Sequence, residues 1–166
     1  MSNPTAYTAT TAKHPRIHGV KTKPLRLIPD ERGWLMEGLR ADDELFTRFG
    51  QMYLSATYPG VVKGWHFHRR QIDNFVCVAG MIKLVVYDGR DGSPTRGRID
   101  EFVIGERNPL LVQVPAGAHH GWKCVSLTPA LVVNCPSELY DYKDPDEVRF
   151  PPHGGDVPYD WSRKDG

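Results

Sequence analysis

The densest group of residues able to do chemistry lies between positions 60 and 80. His66 and His68 are two positions apart, so on a β-strand both imidazoles would point to the same side of a sheet. Asp73 follows and can return to the same pocket after a tight turn. His120, in a second histidine-containing segment, can supply a further imidazole. Three imidazoles and a carboxylate form a donor set that suits a divalent metal.

The same histidines also have a plainer interpretation. A single histidine in a strand is more often a hydrogen-bonded core residue than a ligand. Four of the seven histidines fall in two short segments, however, and this concentration favours a shared site. The residue types alone leave open whether that site holds a metal.

The elements that must position these residues are predicted to be β-strands. The chain of 166 residues contains 16 glycines and 14 prolines, a punctuation typical of many short strands joined by turns. Strands at this spacing indicate an all-β sandwich or barrel. Apolar runs between the breaks predict eight strands, at residues 52–57, 61–68, 74–78, 81–88, 101–104, 110–114, 121–126 and 130–134.

The remaining segments are expected to complete one domain. Acidic residues at 42–44 open a predicted short helix, with Gly50 at its C′ position. Residues 1–24 are predicted to be an N-terminal arm, either loose or donated as an edge strand to a neighbouring subunit. Residues 25–166 are predicted to form a single domain. The tail from Asp144 onward is expected to pack as irregular structure over the sheet.

Charge and composition argue against several classes of protein. A formal net charge of +1 does not favour a nucleic-acid-binding or membrane-binding surface across the chain. No apolar run is long enough to predict a membrane span, and no hydrophobic leader is visible near the start. Cys77, Cys124 and Cys135 lie among apolar neighbours, which predicts reduced thiols in a cytoplasmic protein.

Two motifs resemble those of the cupin superfamily. The first has a glycine at each end of the histidines and the acid, at Gly60, His66, His68, Asp73 and Gly80. The second has the pattern of Pro115, Gly117 and His120. More specifically, the chain resembles the dTDP-4-dehydrorhamnose 3,5-epimerase family of nucleotide-sugar enzymes, in order from about residue 25 to the end. The matching stretches are 30–37, 51–55, 60–67, 88–97, 114–122, 140–147 and 162–165.

The resemblance implies a fold, an assembly and a reaction. The fold would be a cupin double-stranded β-helix (jelly roll) spanning residues 25–166, in a homodimer that requires no cofactor or metal. The enzyme would be an isomerase that moves a proton beside the C4 ketone of a dTDP-4-keto-6-deoxy sugar. A ketone acidifies its α-hydrogens, so a base on one face can remove a proton and an acid on the other can return it. The resulting oxyanion needs a positive or hydrogen-bonding partner.

Catalytic roles of the family carry over to individual positions. In the family the base is the histidine of a Gly-x-His-Phe stretch, which is His66 here, and its orienting carboxylate corresponds to Asp165. A bonded carboxylate would fix the imidazole tautomer and stabilise its charged form. The acid on the opposite face corresponds to Tyr140, with Tyr142 as the alternative because the spacing has slipped.

Four further positions match residues that bind the substrate. Arg32 and Gln51 match positions that hold the diphosphate and the base. Lys63 stands where the family has arginine, which keeps the charge but loses the planar fork of donors. His120 matches a second pocket histidine near the sugar.

Two departures from the family support an alternative function. Asp73 stands where the family has a lysine that would polarise the ketone, and His68 replaces a glutamine. The same changes complete a metal-ligand set of His66, His68, Asp73 and His120, as expected of a metal-dependent cupin enzyme acting on another small oxygenated substrate. His66 cannot be both base and ligand, because a coordinated imidazole lacks the lone pair that accepts a proton. A cupin that binds a sugar or nucleotide without catalysis is a third hypothesis.

Overall fold

The computed structural model describes residues 15–165, so residues 1–14 of the predicted arm and Gly166 lie outside the described residues. Within this range the chain forms twelve strands and no helix. The strands are β1 Lys21–Pro24, β2 Leu27–Asp30, β3 Gly33–Met36, β4 Tyr53–Thr57, β5 Val62–His68, β6 Asp73–Ala79, β7 Met81–Tyr87, β8 Ile99–Gly105, β9 Leu110–Val114, β10 His119–Cys124, β11 Ala130–Asn134 and β12 Glu147–Arg149.

Ten of these strands form two antiparallel sheets that pack face to face. The first sheet has the order β1-β9-β6-β11-β4 and the second has the order β12-β5-β10-β7-β8. Strands β2 and β3 form a separate hairpin closed between Asp30 and Gly33. The all-β jelly roll expected from the sequence is confirmed. No helix among residues 15–165 has the length and apolar character needed to span a membrane.

The core explains why the central strands are apolar throughout their length. Side chains of β7 alternate across the sheet, and Leu84 enters the core between the sheets, where it joins Phe75 from the first sheet. Val85 faces the opposite side and packs against Trp161 of the C-terminal segment. The second sheet is therefore covered on both faces, by the first sheet inside and by the tail outside.

The prediction of a short helix beginning at residue 42 is wrong, because this segment forms turns only. The carboxylate of Asp43 accepts hydrogen bonds from Lys23 Nζ at 2.6 and 2.7 Å. The backbone N–H of Gly50 donates to the carbonyl of Pro136 at 2.9 Å instead of ending a helix. Partners distant in sequence therefore override a local preference for helix.

The described part of the predicted arm packs against the sheets of its own chain. Ile17 and Val20 are buried in the core, and β1 pairs with β9. The buried carboxylate of Asp100 accepts hydrogen bonds from the backbone and side chain of Arg16. Residues 15–24 thus belong structurally with the strands that follow, while the arm remains a prediction for residues 1–14.

Candidate active site

Strands β5 and β10 bring three histidines together. On β5, His66 and His68 alternate with Trp65 and Phe67, which contact aromatic rings on the outer face of the sheet. His120 on β10 pairs directly with His66. The ring centroid of His66 lies 4.1 Å from that of His120 and 5.5 Å from that of His68. The alternation predicted from the sequence thus delivers its histidines to one place.

These histidines lie at a cleft of about 870 Å³. Sites for small ligands usually occupy about 300–1,000 Å³, so the cleft can accommodate a nucleotide sugar. His66 and His68 line it, whereas His120 is 1% exposed and lies behind them. Predicted site residues on its other walls are Gln51, Lys63, Tyr140 and Tyr142.

The two candidate tyrosines stand at the rim of this cleft. Their rings meet edge to face, with centroids 5.0 Å apart. Tyr142 is 88% exposed and Tyr140 is 37% exposed. The backbone N–H of Tyr140 donates to Gln51 Oε1 at 3.3 Å, which ties the rim to the segment before β4. Tyr140 is therefore the more buried of the two candidates for the acid.

Lys63 places a cation in the cleft wall. Its Nζ donates to Ser55 Oγ at 2.7 Å and to the carbonyl of Ala56 at 2.6 Å. Partial burial lowers the pKa of this ammonium from its usual value. Since an ammonium has three N–H donors, one remains available for a ligand after these two bonds.

Asp73 is the buried charge behind the histidines. Its Oδ1 accepts hydrogen bonds from Gln71 Nε2 at 2.8 Å and from Asn134 Nδ2 at 2.7 Å. Its Oδ2 lies 3.2 Å from His120 Nε2 and 3.5 Å from His68 Nε2. The side chain is 1% exposed and does not line the cleft, so its charge acts on the imidazoles and not directly on a ligand.

Burial and neighbouring charges set the protonation of this group. Burial lowers the pKa of His66 well below its usual value, and the adjacent His120 adds to the effect. Burial also lowers the pKa of His68, while Asp73 acts in the opposite direction. Burial alone would raise the pKa of Asp73, but the close approach and charge of His120 outweigh it and bring that pKa to about 2. His66 therefore has a free lone pair near neutral pH, where Asp73 is ionised.

The predicted metal-ligand set is assembled only in part. One ligand atom from each of His66, His68 and His120 lies within 4.8 Å of the others, but Asp73 is not part of this group. His120 Nδ1 contacts the carbonyl of Ala118 at 3.0 Å, which leaves its Nε2 facing the carboxylate. His68 Nδ1 has no hydrogen-bond partner among residues 15–165. The three histidines therefore form one group of possible ligands, and Asp73 as a fourth ligand stays a prediction.

Two predicted site residues lie outside the cleft of their own chain. Arg32 is exposed in the β2–β3 turn, with its guanidinium 2.6 Å from the carboxylate of Asp30. Asp165 is also exposed and pairs with Arg163 at 2.7 Å. Within the described chain no hydrogen bond or ion pair joins Asp165 to His66. The carboxylate that meets the imidazoles in this structure is that of Asp73.

Sequence reasoning missed the amides that hold Asp73. Asn134 ends an apolar strand, and its Nδ2 also donates to the hydroxyl of Tyr53 at 2.9 Å. Burial raises the pKa of Tyr53 to about 12, with the charge of Asp73 contributing. The available signal was an amide side chain at the end of an apolar strand. A buried amide almost always has a hydrogen-bond partner, so Asn134 could have been predicted to bind a polar group nearby.

Strand β12 was missed as well, because the proline-rich tail contains no apolar alternation. It adds to the edge of β5, with Glu147 opposite His68 and Arg149 opposite His66. Both β12 side chains line the cleft, and they pair with each other at 2.8 Å. Arg149 therefore provides a second cation at the cleft.

Comparison with known proteins identifies the family. Residues 14–166 match the family model of dTDP-4-dehydrorhamnose 3,5-epimerase. The chain belongs to this family. It is 46% identical over 150 residues to a probable low-salt glycan biosynthesis epimerase of Haloferax volcanii, covering 89% of this chain and 96% of that protein. It is 36% identical to a spore coat polysaccharide biosynthesis protein of Bacillus subtilis, covering 88% and 97%.

Solved structures agree with this assignment. A dTDP sugar isomerase from Desulfovibrio desulfuricans superposes with a TM-score of 0.84 at 33% identity, covering 90% of this chain and 94% of that one. NovW, a 4-keto-6-deoxy sugar epimerase from Streptomyces spheroides, gives 0.75 at 28% identity, covering 82% and 71%. This protein is therefore a sugar epimerase with the cupin fold, as its sequence motifs indicated.

The ionised Asp73 should make the stability of this epimerase sensitive to acid. Its pKa of about 2 in the folded protein lies below the usual value of 3.8, so the folded state binds this proton less readily than the unfolded chain does. Stabilisation on the order of 2 kcal/mol is present above about pH 4 and is lost as the pH falls towards about 2. Urea unfolding between about pH 6 and about pH 2.5 measures this loss.

Two variants isolate the contribution of the carboxylate. The free energy of unfolding of Asp73→Asn should fall less steeply than that of the wild type over this range. Asp91→Asn, in the exposed β7–β8 loop, should follow the wild type. Equal slopes for the wild type and Asp73→Asn would show that Asp73 carries no such stabilisation.

Proposed function

We propose that this protein epimerises a dTDP-4-keto-6-deoxy sugar by proton transfer at a carbon next to the C4 ketone. The observation that carries the proposal is a half-buried His66, with its pKa held well below the usual value by burial, at a cleft that also presents Tyr140. The family supports the substrate class, since its relatives include a dTDP sugar isomerase and a 4-keto-6-deoxy sugar epimerase. No cofactor is needed in this scheme, because the ketone itself stabilises the carbanion.

In this scheme His66 is the base and Tyr140 is the acid. The free lone pair of His66 removes the α-proton, and the hydroxyl of Tyr140 returns a proton to the opposite face of the sugar. General acid–base catalysis of this kind contributes about 10²–10⁴-fold to a rate. Asp165 as the orienting carboxylate of His66 stays a prediction from the family.

The enolate oxygen needs a donor in place of the family lysine. His68 lines the cleft, and its Nδ1 has no hydrogen-bond partner among the described residues. Burial lowers the pKa of His68, and Asp73, at 3.5 Å from Nε2 of the same ring, opposes that shift. We assign His68 this role, which places an imidazole where the family has glutamine and keeps the Asp73 charge away from the substrate.

The nucleotide is assigned to the basic side of the cleft. Lys63 has one free N–H for a phosphate oxygen, and Gln51 lies beside the tyrosine rim. Arg149 adds a guanidinium, whose paired donors suit a diphosphate. His120 lies behind His66, so it would orient the imidazole of His66 and would not contact the nucleotide.

Proton exchange tests the scheme directly. With a dTDP-4-keto-6-deoxyhexose in heavy water, the wild type should place deuterium at C3 or C5, as measured by NMR or mass spectrometry. His66→Asn should reduce the exchange rate by about 10³-fold, and Tyr140→Phe by about 10-fold or more, because each loses a proton-transfer group. Tyr142→Phe should stay within about threefold of the wild type if Tyr140 is the acid.

An outward-facing histidine gives the matched control for this test. His119 packs against Phe67 and Phe150 on the outer face, so His119→Asn should retain exchange. The proposal would be overturned if His66→Asn exchanged deuterium at the wild-type rate. It would also be overturned if the wild type exchanged none with any dTDP-4-keto-6-deoxyhexose.

A metal-dependent reaction is the second candidate, favoured by the three imidazoles that lie within reach of one ion. A bound divalent metal would act as a Lewis acid towards a carbonyl or hydroxyl oxygen. His66, His68 and His120 would hold it, and His66 would then no longer be the base. The two candidates therefore exclude each other.

Elemental analysis after purification without chelators separates the candidates. The proposed epimerase should contain metal well below one ion per chain, and His68→Gln should leave that content unchanged. Stoichiometric metal that is lost in His68→Gln, together with the activity, would favour the metal enzyme.

We further propose a homodimer, in line with the family. The β2–β3 hairpin exposes Trp34 and Leu35 by 55% and 57%, and β4 exposes Leu54 by 57%. Burial of such apolar surface against a second copy would be favourable. Arg32, on the same hairpin, does not line the cleft of its own chain and would reach a diphosphate only in the partner copy.

The free cysteines support a cytoplasmic location.

Sedimentation velocity measures the assembly. The wild type should sediment at the mass of two chains, and Leu35→Glu should shift it towards one chain, because a buried unpaired charge is unfavourable. Leu127→Glu, in a fully exposed loop position, is the control and should remain dimeric. A wild type that sediments as one chain would contradict the proposal.

A further inference from the structure

The outer face of the sheet that carries the histidines is covered by the C-terminal segment. Trp161 is 1% exposed. Its ring centroid lies 4.8 Å from that of Trp65 and 4.8 Å from that of Tyr159. Trp65 directly precedes His66 on β5, so Trp161 packs behind the strand at the position where the base is attached.

Two glycines allow β5 and β10 to approach closely under this ring. A Cβ atom on Gly121 would lie 2.8 Å from Gly64 Cα and 3.5 Å from Trp161 Cζ2. A Cβ on Gly64 would lie 3.0 Å from Gly121 Cα and 3.8 Å from the same ring atom. The indole therefore fills the space above the contact between the two strands.

The strand register is irregular at the same place. His66 pairs with His120, but Lys63 pairs with Trp122, so two residues of β5 stand opposite the single Gly121. This is a β-bulge, a feature that redirects the side chains beside it and is common next to active sites. The bulge ends immediately before His66, so this imidazole stands at the position that such a feature redirects.

One contact of Trp161 and two of Tyr159 hold this segment in place independently of β5. The carbonyl of Trp161 accepts a hydrogen bond from Lys123 Nζ on β10 at 2.7 Å. Its neighbour Tyr159 donates to Glu101 on β8 and lies under Lys83 Nζ of β7, 5.2 Å from the ring centroid. The segment that carries the indole is therefore attached to the rest of the sheet, and the indole can act as a fixed surface against the bulge.

We propose that Trp161 is a positioning residue for His66, which it holds in register by packing on Trp65 and on the paired glycines. The proposal rests on the proposed function only in taking His66 as the base. Trp161 touches no substrate, because it lies on the face of the sheet opposite the cleft. A displacement of about 1 Å in a reacting group can lower a rate by about 10²-fold, so loss of the indole should reduce turnover.

The test compares three variants of the full chain. Trp161→Leu should lower kcat for proton exchange by about 10- to 100-fold and leave KM within about threefold, because Trp161 itself does not line the cleft that binds substrate. Trp161→Phe keeps a ring and removes an indole N–H that has no acceptor in the described chain, so it should restore most of kcat. Phe102→Leu removes a similarly buried ring from the inner core and should reduce stability without this loss of kcat.

A fourth variant and a structural measurement cover the remaining outcomes. Lys123→Ala removes the anchor of the Trp161 backbone without altering the core, and should lower kcat severalfold if Trp161→Leu does not fold. Crystal structures should show the separation of the His66 and His120 rings changed from 4.1 Å in Trp161→Leu and retained in Phe102→Leu. This measurement needs no turnover, so it still tests the positioning role if the wild type proves inactive on dTDP sugars. An unmoved His66, a wild-type kcat in folded Trp161→Leu, or an equal loss of kcat in Phe102→Leu would overturn the inference.

Discussion

Strands β5 and β10 pair across the contact between Gly64 and Gly121, and this close approach determines where the histidines of the cleft can lie. Beside this contact His66 lies opposite His120, and the bulge of β5 ends directly before His66. Because side chains alternate along a strand, the histidines of these two strands face the cleft while their neighbours pack on the outer face of the sheet. The aromatic cluster of the tail and the imidazole cluster of the cleft are thus two sides of one strand pair.

A buried carboxylate shapes the electrostatics of the inner face. An isolated charge at the position of Asp73 would be very unfavourable, so it requires partners that compensate for lost water. Two amides satisfy one oxygen and two imidazoles approach the other. A negative charge near a developing enolate would oppose the reaction. Here it is placed behind the imidazoles, where it can polarise them without facing the cleft.

Much of the fold and the central histidines could be predicted from sequence, and the failures share a cause. Alternation and turn residues place most of the strands, and the two-residue spacing of His66 and His68 predicts their common side. The predicted helix failed because Asp43 and Gly50 have partners far along the chain. Strand β12 was missed because it forms by pairing with β5, not through an apolar pattern of its own.

The sequence by itself determined the strand pattern, the family and the residue types available to the site, since these depend on local periodicity and on motifs with fixed spacing. Only the tertiary structure decided which groups meet. Asp73 finds Asn134 across 61 residues, while Asp165 pairs with Arg163 at the surface. Spacing along a strand specifies the direction of a side chain, but its partner depends on how distant strands pack. The charge behind the histidines of the cleft is therefore held by a contact that no local pattern records.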